Sequence, residues 1–404
     1  MSDTQKHNKP NVPNLRFPEF DGEWEKKRLQ ECVSFLDEQR RPIKSNDRVS
    51  ELGLYPYYGA SGEIDRIDDY LFDDDLVLLS EDGANIIERK YRVAFIIHGK
   101  TWVNNHAHVL KPNKNIDINF LSESLERLDY AQYNTGTTMP KLNQEICRNI
   151  KLSIPSFEEQ TKIGRFISLI NERIELQSKV IEDLIKVKTA INDEFHKSNT
   201  HGVKTCFADL GVSYSGLSGK SAVDFGQGCQ FIPYTNVFSN TFINEDDMGF
   251  VKIAEGEHQN KVEHGDLIIT LSSETPEEVG VGSVYLGHKK DLYLNSFCFG
   301  IHLLKRDIVM PEYLAYLVES KVFRKFVYPL AQGSTRYNLQ KGDFEKKEII
   351  IPQIEKQQEL ITVLNAISNK QKLELEIMER LTMAKRSLLQ RLFVNPVKYY
   401  YIPN

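Results

Sequence analysis

No two of the five cysteines form a C-x-x-C pair. Cys32, Cys147, Cys206, Cys229 and Cys298 are scattered and odd in number. This argues against a disulfide framework or a cysteine-based zinc site and for a reducing cytoplasm. No stretch approaches the roughly 18 apolar residues of a membrane-spanning helix, and the best run, around Val93–Ile97, is strand-sized. Met1–Pro10 is polar and lacks an apolar core, so it does not read as a secretory signal. Positive charge is also short: 51 Lys and Arg stand against 57 Asp and Glu, a net charge of −6. DNA-binding domains usually carry a basic balance, because neutralising phosphates supplies most of their affinity. Nucleic-acid binding would therefore need local basic patches or a partner that supplies the charge.

Enzyme signatures are lacking as well. Gly219-Lys220-Ser221 resembles the end of a phosphate-binding P-loop, but Tyr214 stands where the opening glycine belongs. Gly226-Gln227-Gly228 has no third glycine and no surrounding βαβ unit, so a dinucleotide fingerprint fails. Asn395-Pro396-Val397 is not the Asn/Asp-Pro-Pro-aromatic loop of an amino-methyltransferase. His106-Ala107-His108 places two imidazoles on one face of an expected strand, but no third metal ligand is evident. No elbow motif nominates a serine nucleophile. The expectation is a chain with no active site, metal or cofactor of its own.

What is present is an internal repeat. The 404 residues allow two or three domains. Ile154-Pro155-Ser156-Phe157-Glu158-Glu159-Gln160 matches Ile351-Pro352-Gln353-Ile354-Glu355-Lys356-Gln357 at Ile, Pro, Glu and Gln, an offset of 197. The same offset carries Gly136-Thr137-Thr138 onto Gly333-Ser334-Thr335 and Leu142 onto Leu339. Further back gaps enter: Asp75-Leu76-Val77 pairs with Asp266-Leu267-Ile268 at 191, and Pro56-Tyr57 resembles Pro233-Tyr234 at 177.

After each Ile-Pro a long amphipathic helix is expected. Ser156 with Glu159 has capping-box spacing. A 3-4 hydrophobic seam then runs through Ile163, Ile167, Ile170, Ile174, Ile181, Leu184, Ile191 and Phe195, interrupted at Gln177 and Lys188. In the second copy the interruptions recur at Glu374 and Lys385. A shared seam with shared lapses predicts that the two helices pack on each other, antiparallel, as a coiled coil. At about 1.5 Å per residue, roughly 40 residues would span about 60 Å and hold two modules apart.

The modules between the helices read as α+β. Strands are expected at Leu76–Leu79, Arg92–Ile97, Val103–Leu110, Leu267–Leu271, Ser283–Leu286 and Phe297–Leu304, and short helices at Asn119–Leu128 and Pro311–Val327. Residues 197–205 read as a linker. The expected division is a first recognition module at 1–153, a first spacer helix at 154–198, a second module at 199–350, a second helix at 351–395 and a tail at 396–404.

These residues resemble, over nearly the whole length, the specificity subunit of a type I restriction-modification system. Leu15-Arg16-Phe17-Pro18-Glu19-Phe20 with Trp24 resembles the usual opening of the first module. Tyr55-Pro56-Tyr57-Tyr58-Gly59-Ala60-Ser61-Gly62 and Ile67-Asp68-Asp69-Tyr70-Leu71 resemble a recurrent target-recognition segment. The two Ile-Pro…Glu-x-Gln segments resemble the starts of the spacer helices, and Leu388-Leu389-Gln390-Arg391-Leu392-Phe393 the end of the second. The resemblance implies two tandem target-recognition domains with pseudo-two-fold symmetry, each reading one half of a split, asymmetric site in double-stranded DNA, with the helices setting the gap. It implies two methylation subunits docked on the helices and motor-nuclease restriction subunits as further partners. S-adenosylmethionine, ATP and magnesium would belong to those partners. Two readers so held should address half-sites about one helical turn apart, near ~34 Å.

Base reading needs groups that can enter a groove, and phosphate contact needs Lys, Arg or backbone N–H. The segment Tyr58-Gly59-Ala60-Ser61 offers small residues beside an aromatic; a tight turn needing glycine fits it equally. Thr137, Thr138 and Lys141 in the first module, and Ser334, Thr335, Arg336, Tyr337 and Asn338 in the second, put hydroxyls and a cation just before the strand feeding each helix. Arg336 suits a guanine edge and Asn338 an adenine. Arg40, Arg41 and Lys44 form a basic run, and Ser215 and Lys220 are further DNA-binding candidates. Two other readings stay open. One is a coiled-coil scaffold for protein partners. The other is a nuclease with acids clustered near a lysine, for which Asp73-Asp74-Asp75 is the nearest candidate.

Overall fold

The computed structural model describes residues 11–44 and 53–394. The expected tail at 396–404, the polar segment Met1–Pro10 and Asn395-Pro396-Val397 lie outside the described residues. The chain forms two compact units, one from residues 1–179 with 375–404, the other from 180–374. Each long helix is therefore shared, half to each unit.

In the first unit a four-stranded antiparallel sheet runs Val33–Phe35, Ala107–Pro112, Leu76–Ser80, Ala94–Ile97. Strand periodicity splits its faces. Val77 and Leu79 face the helix Ile118–Glu126 and the main core, while Leu76 and Leu78 face a second core with Phe72, Val103 and Val109. Over that second core lies another four-stranded sheet, Gly62–Ile67, Tyr55–Gly59, Lys100–Val103, Phe72–Asp73, in which Tyr55–Gly59 runs parallel to Lys100–Val103. The main core takes in Ile163 and Ile167 from the start of the first long helix, Phe157–Ser198, and Leu389 and Leu392 from the end of the second, Ile354–Leu392. Phe393, just past that end, stacks on Phe120 at 5.2 Å and meets Trp24 edge-on at 6.3 Å.

The second unit repeats the plan. Its antiparallel sheet runs Gly211–Ser215, Cys298–Leu303, Leu267–Thr270, Gly282–Val284. Leu267 and Ile269 face the core with the helix Pro311–Glu319, and Ile268 faces a separate core with Tyr214 and Leu294. Here the start of the second long helix, at Leu360, Ile361 and Leu364, packs with Ile191 and Phe195 from the end of the first. Start against end in each unit is the antiparallel pairing that the seam predicts. Every seam position is buried or half-buried, including the polar lapses at Gln177, Lys188, Glu374 and Lys385.

Each helix start is fastened by a buried glutamine. Gln357 Oε1 accepts the Met310 amide at 2.8 Å, and its Nε2 donates to the carbonyls of Ile308 and Pro352, each at 2.8 Å. Gln160 does the same with the Asp117 amide at 3.1 Å and the Asn115 and Pro155 carbonyls at 3.3 and 3.0 Å. Ser156 Oγ accepts the Glu159 amide at 3.3 Å, and the Glu159 carboxylate holds Arg16 through two bonds of 2.7 and 2.9 Å.

Several expectations change. The match of Asp75-Leu76-Val77 to Asp266-Leu267-Ile268 slips by one residue: Leu76 and Leu267 face different cores, and same-facing Val77 and Leu267 stand 190 apart. A one-residue slip reverses every side chain of a strand. Pro56-Tyr57 sits inside a strand, whereas Pro233 precedes the helix Tyr234–Ser239, so the offset of 177 joins unlike structures. Val103–Leu110 is two strands, Lys100–Val103 and Ala107–Pro112, parted by a turn at Asn104–His106. Pro311–Val327 breaks at Ser320, whose extended backbone ends one helix and whose hydroxyl caps Lys321–Val327 by accepting the Phe323 amide. In the supposed linker, Val203–Thr205 is a strand paired with Ile349–Ile351.

Candidate nucleic-acid interface

The turn Asn104–His106 begins a backbone frame that both units share. In the first unit Asn104 Oδ1 accepts the His106 amide at 2.8 Å, the His106 carbonyl accepts the Glu81 amide at 2.8 Å, and the Glu81 carbonyl accepts the Leu142 amide at 2.7 Å. The backbones of Asp82 and Lys141 form an isolated antiparallel β-bridge beside it. In the second unit Asn295 Oδ1 accepts the Phe297 amide at 2.9 Å, the Phe297 carbonyl accepts Leu271 at 2.7 Å, and Leu271 accepts Leu339 at 2.9 Å. Ser272 pairs with Asn338 in the corresponding place. The Asn104 amide donates to the Tyr58 carbonyl, as Asn295 does to Ile232.

The loop entering this frame makes the same close backbone approach in the two units, and a glycine stands at it in each. A Cβ on Gly136 would lie 1.7 Å from the Met139 carbonyl oxygen, and one on Gly333 2.0 Å from that of Arg336. The close approach presents the following residues outward. Thr137, Thr138 and Lys141 are exposed, as are Ser334, Thr335, Arg336 and Asn338, with Tyr337 half-buried. Arg336 is not loose: its Nε donates to Ser272 Oγ at 3.1 Å and its guanidinium lies 4.5 Å over the Phe297 ring.

The hairpin tip joins the frame of the first unit. Tyr58 and Gly59 end a strand, Ala60 and Ser61 form the turn, and the Ala60 carbonyl accepts Ser80 Oγ. Tyr58 is half-buried and Gly59 buried, so Ser61 is the exposed member of that group. Burial raises the Tyr58 phenol above its ordinary value.

Other candidates are placed elsewhere. Lys220, with 9% of its side chain exposed, gives its ammonium to Glu257 at 2.6 Å and to the Lys252 carbonyl at 2.7 Å, so its charge is already spent inside the unit. Ser215 is exposed at the end of its strand, and its carbonyl accepts Asn260 Nδ2 at 3.0 Å. In the basic run Arg41 and Lys44 are exposed, but Arg40 turns inward to Glu81 at 2.6 Å and the Ala107 carbonyl at 2.7 Å.

His106 and His108 do not share a face, because His106 stands in the turn. Its Nδ1 meets Asp82 Oδ1 at 2.9 Å. His108 is buried, with Nδ1 2.7 Å from Asp37 Oδ2 and Nε2 2.8 Å from the Leu142 carbonyl. Burial opposes its charge, but bonding to Asp37 and Cys147 outweighs that and pushes its pKa up to about 10. A ring whose two nitrogens both face oxygen acceptors donates from both. Asp37, Glu81 and His108 bring potential ligand atoms within 4.8 Å of one another. Those atoms already serve Arg40, Lys141, Gln144 and the Val109 amide, so the cluster is a node that braces the frame. The Asp73-Asp74-Asp75 acids diverge: Asp74 pairs with Lys111 and Asp75 with His98, on the surface.

The sequence reading missed Asn104 and Asn295. Trp102-Val103-Asn104-Asn105-His106 and Tyr293-Leu294-Asn295-Ser296-Phe297 repeat as aromatic, aliphatic, Asn, polar, aromatic at an offset of 191. It also missed a second apolar stripe about a third of a turn around each long helix from the seam. Leu169, Leu176, Val180 and Val187, spaced 7, 4 and 7, are exposed, and at an offset of 197 Ala366, Leu373, Ile377 and Ala384 are exposed too.

Residues 21–186 and 230–383 match the family model for the type I restriction modification DNA specificity domain. A type I restriction enzyme specificity subunit of Methanocaldococcus jannaschii is 22% identical over 421 aligned residues, covering 95% of this chain and 94% of that one. A Haemophilus influenzae protein named as a type I restriction enzyme specificity subunit is 32% identical over 148 residues, 37% of each chain. The fold resembles the crystal structure of the type I restriction-modification S subunit from M. genitalium, with a TM-score of 0.63 at 13% identity, covering 95% of this chain and 99% of that one.

Proposed function

The chain belongs to the type I restriction-modification DNA specificity family, and on that premise we propose that it selects the DNA sequence for a methylating and cleaving complex without catalysing either reaction. Each unit reads one half of a split, asymmetric site. The observation that carries this reading is the shared frame: one backbone arrangement, twice, with a glycine and an asparagine repeated in both units beneath different side chains. A common frame with exchanged side chains is what two readers of different sequences need, since phosphate contacts position and side chains specify.

Of the residues nominated from sequence, Ser61, Thr137, Thr138, Lys141, Ser334, Thr335, Arg336, Tyr337 and Asn338 form the DNA-facing set in this reading. Lys220 serves structure instead. The functional division follows 1–153 and 199–350 as readers and 154–198 and 351–395 as spacers. The outward stripes on the helices take the methylation subunits, one stripe copy per subunit. Exposed apolar side chains that recur along one helix face suit such docking. The motor-nuclease subunits join that assembly, and S-adenosylmethionine, ATP and magnesium are theirs. Positive surface from the partners offsets this chain's net charge of −6. No helix among the described residues is long and apolar enough to cross a membrane, and the free cysteines suit a cytoplasmic site of action.

The test is to co-express the chain with its methylation subunit and map methylated adenines by single-molecule sequencing. A split, asymmetric motif that depends on this chain is expected. Unchanged methylation in a confirmed complex would instead favour a protein scaffold.

A further inference from the structure

Among the differences between the two frames, four surround Arg336 and its counterpart. Asp82 corresponds to Ser272, His106 to Phe297, Met139 to Arg336 and Lys141 to Asn338, at offsets of 190, 191, 197 and 197. The correspondences are geometric: the hydrogen-bond chain, the 82–141 and 272–338 pairings and the glycine closure fix them. We infer that Arg336, seated on Phe297 and tied to Ser272, is a preformed guanine-reading clamp of the second half-site, and that the first unit lacks this clamp and reads a different base at the corresponding step.

Three features favour guanine. The Nε–H of Arg336 is used by Ser272 Oγ at 3.1 Å, which restrains the plane of the guanidinium, while the residue stays exposed and its two Nη groups make no hydrogen bond among the described residues. The Phe297 ring, 42% exposed, covers one face of that plane at 4.5 Å. A planar fork held by an aromatic face and one bond loses little side-chain entropy when it pairs bidentately with O6 and N7 of guanine. An arginine serving phosphates alone has no need of such a seat, because a phosphate accepts a flexible cation from many directions.

In the first unit the same three positions hold Met139, 58% exposed, and the His106–Asp82 pair at 2.9 Å. Asp82 Oδ1 and Oδ2 lie 2.9 and 3.0 Å from the His106 Nδ1, and the residue in the place of Arg336 is a methionine, which has no guanidinium. The backbone is kept while the recognising group is removed, so the two half-sites cannot be copies of one another at this step.

The inference rests on the DNA-reading function proposed above, and wild-type chain in the same experiment tests that separately: a bipartite methylation motif must appear before any variant is interpreted. Against that motif, Arg336→Ala should make one guanine position of the second half-site degenerate, with about 5- to 150-fold lost preference. The first half-site should be unchanged. Arg336→Lys keeps the charge and loses the fork, so it should behave like alanine in specificity while preserving overall methylation. Phe297→Ala and Ser272→Ala should loosen the same position to a smaller extent. A second half-site that keeps every base in Arg336→Ala, or an Arg336→Lys chain indistinguishable from wild type, would overturn the clamp. So would loss of methylation at all sites by Arg336→Ala and Arg336→Lys alike, which would mark a structural or phosphate-binding role.

Discussion

Replacing Gln357 by alanine strikes the point where the second long helix is fastened to its unit. The Gln357 side chain is fully buried and completes three bonds of 2.8 Å, to the Met310 amide and the Ile308 and Pro352 carbonyls. Alanine leaves one N–H and two carbonyls without partners. A buried polar group so stranded costs about 1–3 kcal/mol. The carbonyls suffer less than the amide, and water admitted to the vacated space recovers part. The sum is about 3–5 kcal/mol, a large share of the ~5–15 kcal/mol by which a domain is usually stable. Gln160→Ala, with bonds of 3.0–3.3 Å, should cost somewhat less, about 2–4 kcal/mol. Hydrogen exchange read by peptide separates the two. Gln357→Ala should strip protection from the strand pair 203–205 with 349–351 and from the opening turns of the helix after Pro352. It should spare the pair 25–28 with 151–154, and Gln160→Ala should do the reverse. Gln357→Glu should be at least as harmful, since a carboxylate cannot donate to two carbonyls. A cost below about 1 kcal/mol, or equal loss of protection in both units, would refute the fastening argument.

Acid should weaken the second unit through His196, whose burial lowers its pKa to about 4 from 6.5. The unfolded chain then takes up the proton first, so stability falls as pH drops from about 6.5 towards 4. Between pH 7 and 5 a His196→Phe variant should lose less stability than wild type, by on the order of 2 kcal/mol in urea titrations. His108 has the opposite sign: with its pKa raised to about 10, its contribution is complete below pH 6.5 and fades as pH rises towards 10. Leu176→Glu together with Leu373→Glu, both 55% exposed, should leave urea stability within about 0.5 kcal/mol yet prevent co-purification of the methylation subunit. Normal co-purification would remove the stripes from the docking face. Inserting four residues near Lys186 should lengthen the gap in the methylated motif and leave both half-site sequences intact; altered half-sites would discard the ruler.

The sequence carried the repeat at its strictest where buried polar groups leave no latitude. Gln160 and Gln357 recur at 197 because each must meet one amide and two carbonyls at once, and Gly136 and Gly333 because a Cβ would enter a carbonyl oxygen. The seam was legible for a related reason. A helix shows its buried face at fixed spacing, whatever its partner. In the sheets the same clarity fails, since apolar runs such as Leu76–Leu79 are buried on both faces and lose their alternation. A match at 191 then looked as good as one at 190, although only the second keeps side chains on the same side.

Composition and pattern alone determined that two α+β modules alternate with two long antiparallel-pairing helices, and that no recognisable catalytic motif accompanies them. Tertiary structure decided which polar side chains stay exposed and which are taken up inside the fold. Lys220 and Arg40 read as free cations in one dimension, but acids distant in sequence, Glu257 and Glu81, occupy them. Arg336 reads as one more exposed arginine until Phe297 and Ser272, 39 and 64 positions away, are seen to hold it. The physical reason is the same in each case. Charge and apolar period are properties of a residue and its near neighbours, whereas the availability of a hydrogen-bonding group depends on whichever partner the fold brings within 3 Å.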